Sequence, residues 1–424
     1  MLSSLENRAR TGNAPPVRIE VLNTGTELML GHTLNTHGAW IARELFPLGL
    51  TIARQTTVPD GEAIRDALVE TVERADAVIV TGGLGPTSDD LTRELTAEVL
   101  GLDLIEDEAA MRSIEAFFAL RGRPMADSNR KQALSPAGAD VLPNPNGTAP
   151  GVYVPPRLNG RANCAVFLLP GPPRELHPMF RVEVIPRLRA LAGVETPPHS
   201  LVLKFTGIGE SDFHQGIDER LAAVPGLEYG YCAHIGEVDL RLVGGPAAIE
   251  TARAIALESF SAQLVSDDGS SLEETVVRLL AARGMKLATA ESCTGGLISC
   301  RVTDVSGASE VFTHGFVTYA NEAKKELLGV SASDLETHGA VSETVALAMA
   351  EGALRASGAD IAVSVTGIAG PTGGTTEKPV GTAWIGLARK GAEPAAFKVF
   401  HPRNRHDFKL AVSQAALDAV RRVL

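Results

Sequence analysis

Two stretches of this chain alternate short apolar runs with amphipathic segments of helical period, and a stretch of different rhythm separates them. This alternation constrains the fold more than any other property of the sequence. In the first stretch, residues 17–196, Val17–Leu22, Ala77–Val80 and Ala165–Leu169 read as strands, and Thr33–Leu45, Gly61–Glu73 and Asp90–Leu100 as helices. Strand and helix in turn call for a mostly parallel sheet covered by helices, with ligands at the carboxyl ends of the strands. Residues 197–267 follow a β-α-β-β-α-β order, with strands at 201–206, 227–233, 238–243 and 262–265, which predicts a small split-βαβ module acting as a spacer or dimerisation element. From 268 to 424 the alternation resumes, with strands expected at 285–290, 312–319, 359–366, 380–389 and 395–400 and a last helix from about 405. Ser271 followed by Glu274 predicts a capped helix start there. The expected architecture is two three-layer α/β domains with mostly parallel sheets, joined by a small α+β domain.

Composition narrows the class. Across 424 residues, 44% are hydrophobic and 21% charged, in the range of ordinary globular proteins. The net charge of −12 opposes general nucleic-acid binding, which needs a locally dominant basic surface. Cys164, Cys232, Cys293 and Cys300 form no metal-binding spacing and fit a reducing cytoplasm. Residues 1–16 lack the apolar core of a secretory signal and read as a disordered lead-in, and no run is long enough to span a membrane. His214 and His234 read as surface or packed histidines.

The nine-residue run Ala288 to Gly296 carries the strongest chemical signal. An apolar strand runs into Glu291-Ser292-Cys293-Thr294-Gly295-Gly296 and then a helix, a turn that would hold a nucleophile and aim backbone N–H groups at its target. Ser292 is the candidate and Cys293 its rival, since thiolates are intrinsically stronger nucleophiles. Backbone N–H groups from Thr294 to Gly296 are the candidate oxyanion donors. Between Gly315 and Gly329 a strand ends near Tyr319 and a helix starts near Asn321, which puts Lys324 in the first helical turn. A partly desolvated amine near positive charge has a lowered pKa and suits the role of base; Lys325 reads as solvated.

A second candidate site lies in the first stretch. Strand Ala77–Val80 runs into Thr81-Gly82-Gly83-Leu84-Gly85-Pro86-Thr87-Ser88-Asp89-Asp90, a glycine-rich turn suited to an anion. The aspartates either cap the following helix or hold a hard divalent cation beside a phosphate. Asn23-Thr-Gly25-Thr-Glu27, Asn144-Pro-Asn146-Gly147-Thr148 to Gly151, and Pro170-Gly-Pro-Pro-Arg174-Glu175 read as further ligand loops.

The nonapeptide, the Lys324 segment and Thr366-Gly367-Ile-Ala-Gly-Pro371 resemble the C-terminal domain of the CinA (competence/damage-inducible protein A) family, whose activity is deamidation of nicotinamide mononucleotide (NMN). The resemblance implies Ser292 as acylated nucleophile, Lys324 as general base, and Tyr319, Thr366 and Arg405 near the substrate, with no metal in this half. Thr366-Gly367, the turn from Gly370 to Gly374 and Arg405 are the candidates for the 5′-phosphate. The family usually has glycine where this chain has Arg403, which leaves Arg403 and Arg405 both open. The amino-terminal loops resemble the family's other domain, similar to the molybdopterin-binding fold. That resemblance implies hydrolysis of ADP-ribose with a divalent metal (Mg, Mn or Co) held by Asp89 or Asp90 and Glu27. It further implies small nucleotides as partners and a homodimer; with the charge, the cysteines and the lack of a long apolar run, the expectation is a cytoplasmic protein without direct nucleic-acid or membrane contact. The competing readings are a regulatory protein of competence or DNA damage, and a molybdopterin-related binding protein.

Overall fold

The computed structural model of the chain describes residues 17–158, 163–194 and 199–424. The expected lead-in lies outside the described residues. The chain divides into two compact units, Met1–Pro198 and His199–Leu424.

In the first unit the strands are β1 (Ile19–Thr24), β2 (Ile52–Val58), β3 (Ala77–Thr81), the minor pair β4 (Leu104–Glu106) and β5 (Leu134–Pro136), then β6 (Asp140–Leu142), β7 (Gly151–Val154) and β8 (Ala165–Leu169). The main sheet has the order β2-β1-β3-β8-β7-β6. β1, β2, β3 and β8 pair in parallel, and β6 and β7 close the edge antiparallel. Every residue of β1, β3 and β8 is buried, because helices cover both faces. Side chains alternate between two cores: Ile79 and Phe167 pack with the helix His37–Leu45, while Val80 and Leu168 pack with Glu62–Arg74.

Two helices start later than the sequence pattern predicts. The first begins at His37, where the Asn35 side chain accepts from the His37 N–H at 3.1 Å. The second begins at Thr92 and not Asp90, because the Asp90 carboxylate accepts from the Thr87 N–H at 2.9 Å and holds the preceding turn closed.

The second unit opens with β9 (His199–Thr206), β10 (Leu227–His234), β11 (Glu237–Gly244) and β12 (Leu264–Ser266), in the order β10-β11-β9-β12. All its ladders are antiparallel, and helices Glu210–Ala222 and Pro246–Phe260 cover one face around Phe205, Phe213 and Leu240. This is the β-α-β-β-α-β order expected from the sequence.

The remaining strands are β13 (Leu287–Glu291), β14 (Phe312–Val317), β15 (Ile361–Gly367), β16 (Thr382–Arg389) and β17 (Ala395–Phe400), in the order β14-β13-β15-β16-β17. The first three pair in parallel and the last two antiparallel. The parallel character stops after β15 because no helix lies between Gly367 and Thr382, and a parallel return needs a crossover. Ser271 caps the helix Leu272–Arg283 in a reciprocal box with Glu274, as its sequence predicts.

In each main sheet the chain leaves a central strand to one side and returns on the other. β1 is flanked by β2 and β3, and β13 by β14 and β15. Such a reversal opens a crevice at the carboxyl ends of the strands, and both candidate sites lie there. Among the described residues no helix is long and apolar enough to cross a membrane.

Candidate active site

Strand β13 ends one residue later than expected, and that residue organises the turn. Glu291 is fully buried. One carboxylate oxygen accepts from Thr294 Oγ1 at 2.7 Å and from the Gly296 and Ile298 N–H groups at 3.0 Å each. The other accepts from Ser299 N–H at 2.8 Å and Ser299 Oγ at 2.7 Å. A buried carboxylate thus satisfies the donors that open the helix Leu297–Thr303. Gly295 and Gly296 sit at φ +62° and +93°, where a side chain would be strained.

This network corrects the expected oxyanion site. The Gly295 N–H donates to Ser292 O at 3.1 Å and the Gly296 N–H to Glu291, so neither faces a ligand. The N–H groups of Thr294, already among the expected donors, and of Cys293 have no backbone acceptor among the described residues. Sequence reasoning passed over Glu291 because strand pattern alone ended the strand at Ala290.

Lys324 is 1% exposed, in the helix Asn321–Leu328. Its Nζ lies 3.2 Å from Ser292 Oγ, donates to Thr318 O at 2.9 Å, and makes a longer contact of 3.4 Å with Tyr319 O. Burial pushes its pKa below the ordinary lysine range, and no carboxylate ion-pairs with it among the described residues. Lys325, next to it, is exposed. Cys293 is buried, and burial pushes its thiol up to about 12, so at neutral pH it is no thiolate.

Around this pair the Arg405 guanidinium donates to Tyr319 Oη at 2.7 Å and to Gly370 O at 3.1 Å. Arg403 instead lines a separate cavity with His234, Arg301 and Gln414, so Arg405 is the arginine turned toward Tyr319. Thr366 is buried and its hydroxyl donates to Ala340 O at 2.7 Å, which commits that proton to holding a loop. Gly367, at the end of β15, has no room for a side chain, since a Cβ would lie 2.9 Å from Thr382 O. Lys409, one turn beyond Arg405 in the helix Arg405–Val423, brings Nζ to 3.8 Å from where a Gly295 Cβ would stand. Its i, i+4 spacing from Arg405 is the signal that could have found it.

In the first unit a cleft of about 600 Å³ is lined by Gly25, Glu27, Gly82, Gly83, Gly85, Asp89, Asp90 and Thr148, as expected. Asn146, Gly147 and Arg174 are not part of its wall. The Arg174 side chain is 77% exposed, and Gly147 serves packing, because a Cβ there would lie 1.9 Å from Glu175 Oε2. The amides of Gly83, Leu84 and Gly85 have no acceptor among the described residues, whereas Gly82 N–H donates to Leu169 O at 3.0 Å. His37 and Glu175, neither of them expected as ligand residues, also line the cleft. Burial lowers the His37 pKa, and its Nδ1 is buried without a partner.

The carboxylates expected to hold a metal do not fit a preassembled site. Glu27, Asp89 and Asp90 share the cleft, but Asp90 is engaged with both the N–H and the hydroxyl of Thr87. Among the described residues no three His, Cys, Asp or Glu side chains converge on one point.

Comparison with known proteins bears on both halves. Residues 20–190 match a probable molybdopterin binding domain, and residues 269–424 match the CinA C-terminal domain. A CinA-like protein of Akkermansia muciniphila is 51% identical over 95% of this chain and 96% of its own length. The chain belongs to the CinA family. A CinA-like protein of Chlorobaculum tepidum is 42% identical over 94% of this chain and 96% of its own. Among solved structures, the competence/damage inducible protein CihA from Agrobacterium tumefaciens is 41% identical, covers 35% of this chain and 94% of its own, and gives a TM-score of 0.34. The CinA-type region holds Ser292 and Lys324, and the molybdopterin-binding-like region holds the glycine-rich cleft.

Proposed function

We propose that the carboxyl-terminal site is a serine–lysine amidohydrolase that converts NMN and water to nicotinic acid mononucleotide and ammonia. The observation that carries this reading is the buried amine of Lys324, without a carboxylate ion pair among the described residues, at 3.2 Å from Ser292 Oγ. In its neutral form the amine has two hydrogens and one lone pair. The carbonyls of Thr318 and Tyr319 accept the hydrogens, which leaves the lone pair for the Ser292 proton.

Ser292 Oγ attacks the carboxamide carbon as Lys324 takes its proton. The carbonyl oxygen becomes an oxyanion facing the Cys293 and Thr294 amides, where one good donor is worth about 3 kcal/mol. Collapse breaks the C–N bond, and Lys324 returns the proton to departing ammonia. Water, deprotonated by the same amine, then cleaves the acyl ester and restores Ser292. Arg405 and Lys409 supply positive charge for the 5′-phosphate, Arg405 through a fork suited to two oxygens. NMN as the substrate rests on the family resemblance together with these cations.

The test is ammonia release by the purified chain from NMN, nicotinamide riboside and nicotinamide. NMN should be turned over with the highest kcat/KM, and Arg405→Ala should raise KM for NMN more than for the riboside. Equal turnover of all three would contradict the phosphate assignment. No release from any of them, with salt-sensitive DNA binding instead, would favour a regulatory protein.

For the amino-terminal cleft the free amides of Gly83, Leu84 and Gly85 favour a phosphorylated nucleotide such as ADP-ribose. Hydrolysis of ADP-ribose assayed with and without added Mn²⁺ separates a hydrolase from a binding domain.

A further inference from the structure

Arg93 is wholly buried beneath the glycine-rich turn of the amino-terminal cleft. Its guanidinium reaches two backbone carbonyls, Leu84 O and Lys131 O, both at 3.3 Å, while Nε is buried with no partner. No carboxylate pairs with it among the described residues. Of the nearby acids, Asp90 is engaged with Thr87, and Glu94 lies 3.7 Å from Lys131 through one oxygen while its Oε2 is buried without a partner; both act on Arg93 only through space. Arg93 also occupies the first turn of the helix Thr92–Leu100, the end where the helix dipole opposes a cation. Burial accordingly pulls its pKa below the usual arginine value.

A buried charge that has no ion pair, sits at the wrong end of a helix and is short of acceptors is costly unless something offsets it. The Leu84 carbonyl accepts from Arg93 and, at 3.3 Å, from Gln132 Nε2. Lys131 Nζ donates to Thr87 O at 2.7 Å and Asp90 O at 2.8 Å. The carbonyls of the turn are thus drawn inward, and its amides at Gly83, Leu84 and Gly85 stay free beside the cleft.

We propose that Arg93 is a positioning residue of this cleft, whose buried charge and hold on Leu84 make the Gly83–Gly85 turn a receptor for a phosphate or pyrophosphate group. The inference rests on reading the cleft as a nucleotide site.

The test uses the full chain, with inorganic pyrophosphate, ADP-ribose and adenosine titrated calorimetrically into wild type and the variants Arg93→Gln, Arg93→Met and Arg93→Lys. The neutral variants should bind pyrophosphate and ADP-ribose about tenfold or more weakly, the scale of one charge-assisted contact. Arg93→Lys should recover much of the loss, and adenosine binding should not change, an outcome that a merely structural role would not produce. Wild-type affinity for pyrophosphate in a folded neutral variant overturns the proposal and leaves the nucleotide reading standing. Loss of adenosine and pyrophosphate binding in parallel, or failure of both neutral variants to fold, assigns Arg93 to stability alone and also overturns it. Wild type that binds neither pyrophosphate nor ADP-ribose overturns the nucleotide reading itself.

Discussion

Lys324, the proposed base, is a buried amine whose shifted pKa bears on both rate and stability. Its amine is neutral more readily than an ordinary lysine because burial penalises the charged form. The active form is the neutral one, so kcat/KM for NMN should rise with pH through the depressed pKa and level off above it, as a pH–rate profile would register; a rate that falls across that range contradicts the base assignment. The same shift is a stability statement. The unfolded chain keeps this proton up to about 10.4 and the folded chain gives it up earlier, so stability rises with pH between the folded and unfolded values. Relative to Lys324→Met, wild type should gain stability across that window in urea titrations, and a constant difference would contradict it. Cys293, held up at about 12, should resist alkylation at neutral pH, and Cys293→Ala should keep most of the activity. Ser292, Cys293 and Lys324 are legible in the sequence because strand, turn and helix there are contiguous and each residue type carries its own chemistry. Glu291 and Arg93 are not, since their surroundings depend on which amides and carbonyls the fold brings near them.

At the level of elements, the turn after β13 depends on Glu291 as well as on its glycines. Glu291→Gln keeps the shape but replaces one acceptor oxygen with a donor, leaving buried N–H groups unpaired at about 1–3 kcal/mol. It should lower the unfolding midpoint and the activity together; a variant that lost neither would contradict the turn's dependence on the carboxylate. Behind the turn, the helix Glu343–Ser357 packs closely on small residues, and a Cβ at Gly352 would stand 2.1 Å from Leu328 O. Backbone cannot yield as a side-chain tip can, so Gly352→Ala should destabilise by roughly 1–3 kcal/mol despite its better helix propensity. Denaturation that shows stabilisation instead would contradict this packing. The direction change after β15 was not visible in sequence. Apolar runs at 380–389 and 395–400 look alike whether they pair parallel or antiparallel, and the missing crossover helix decides it.

For the whole molecule, the two compact units have separate cores and separate crevices. A fragment of residues 199–424 should therefore fold and release ammonia from NMN within a few-fold of the full chain, whereas an unfolded or inactive fragment would contradict their independence. Both α/β halves follow from sequence alternation, and both sites fall where a sheet reverses its winding. The amino-terminal metal set does not follow in the same way, because Asp90 is engaged with Thr87 once folded and no three metal-ligating side chains converge among the described residues. The most direct measurement of the central claim is the rate of ammonia release from NMN by Ser292→Ala, with folding checked by its thermal unfolding midpoint. Attack by Ser292 predicts a loss of about a thousandfold or more, the scale seen when an acyl-transfer nucleophile is removed. A folded Ser292→Ala that retains activity within tenfold of wild type would contradict it.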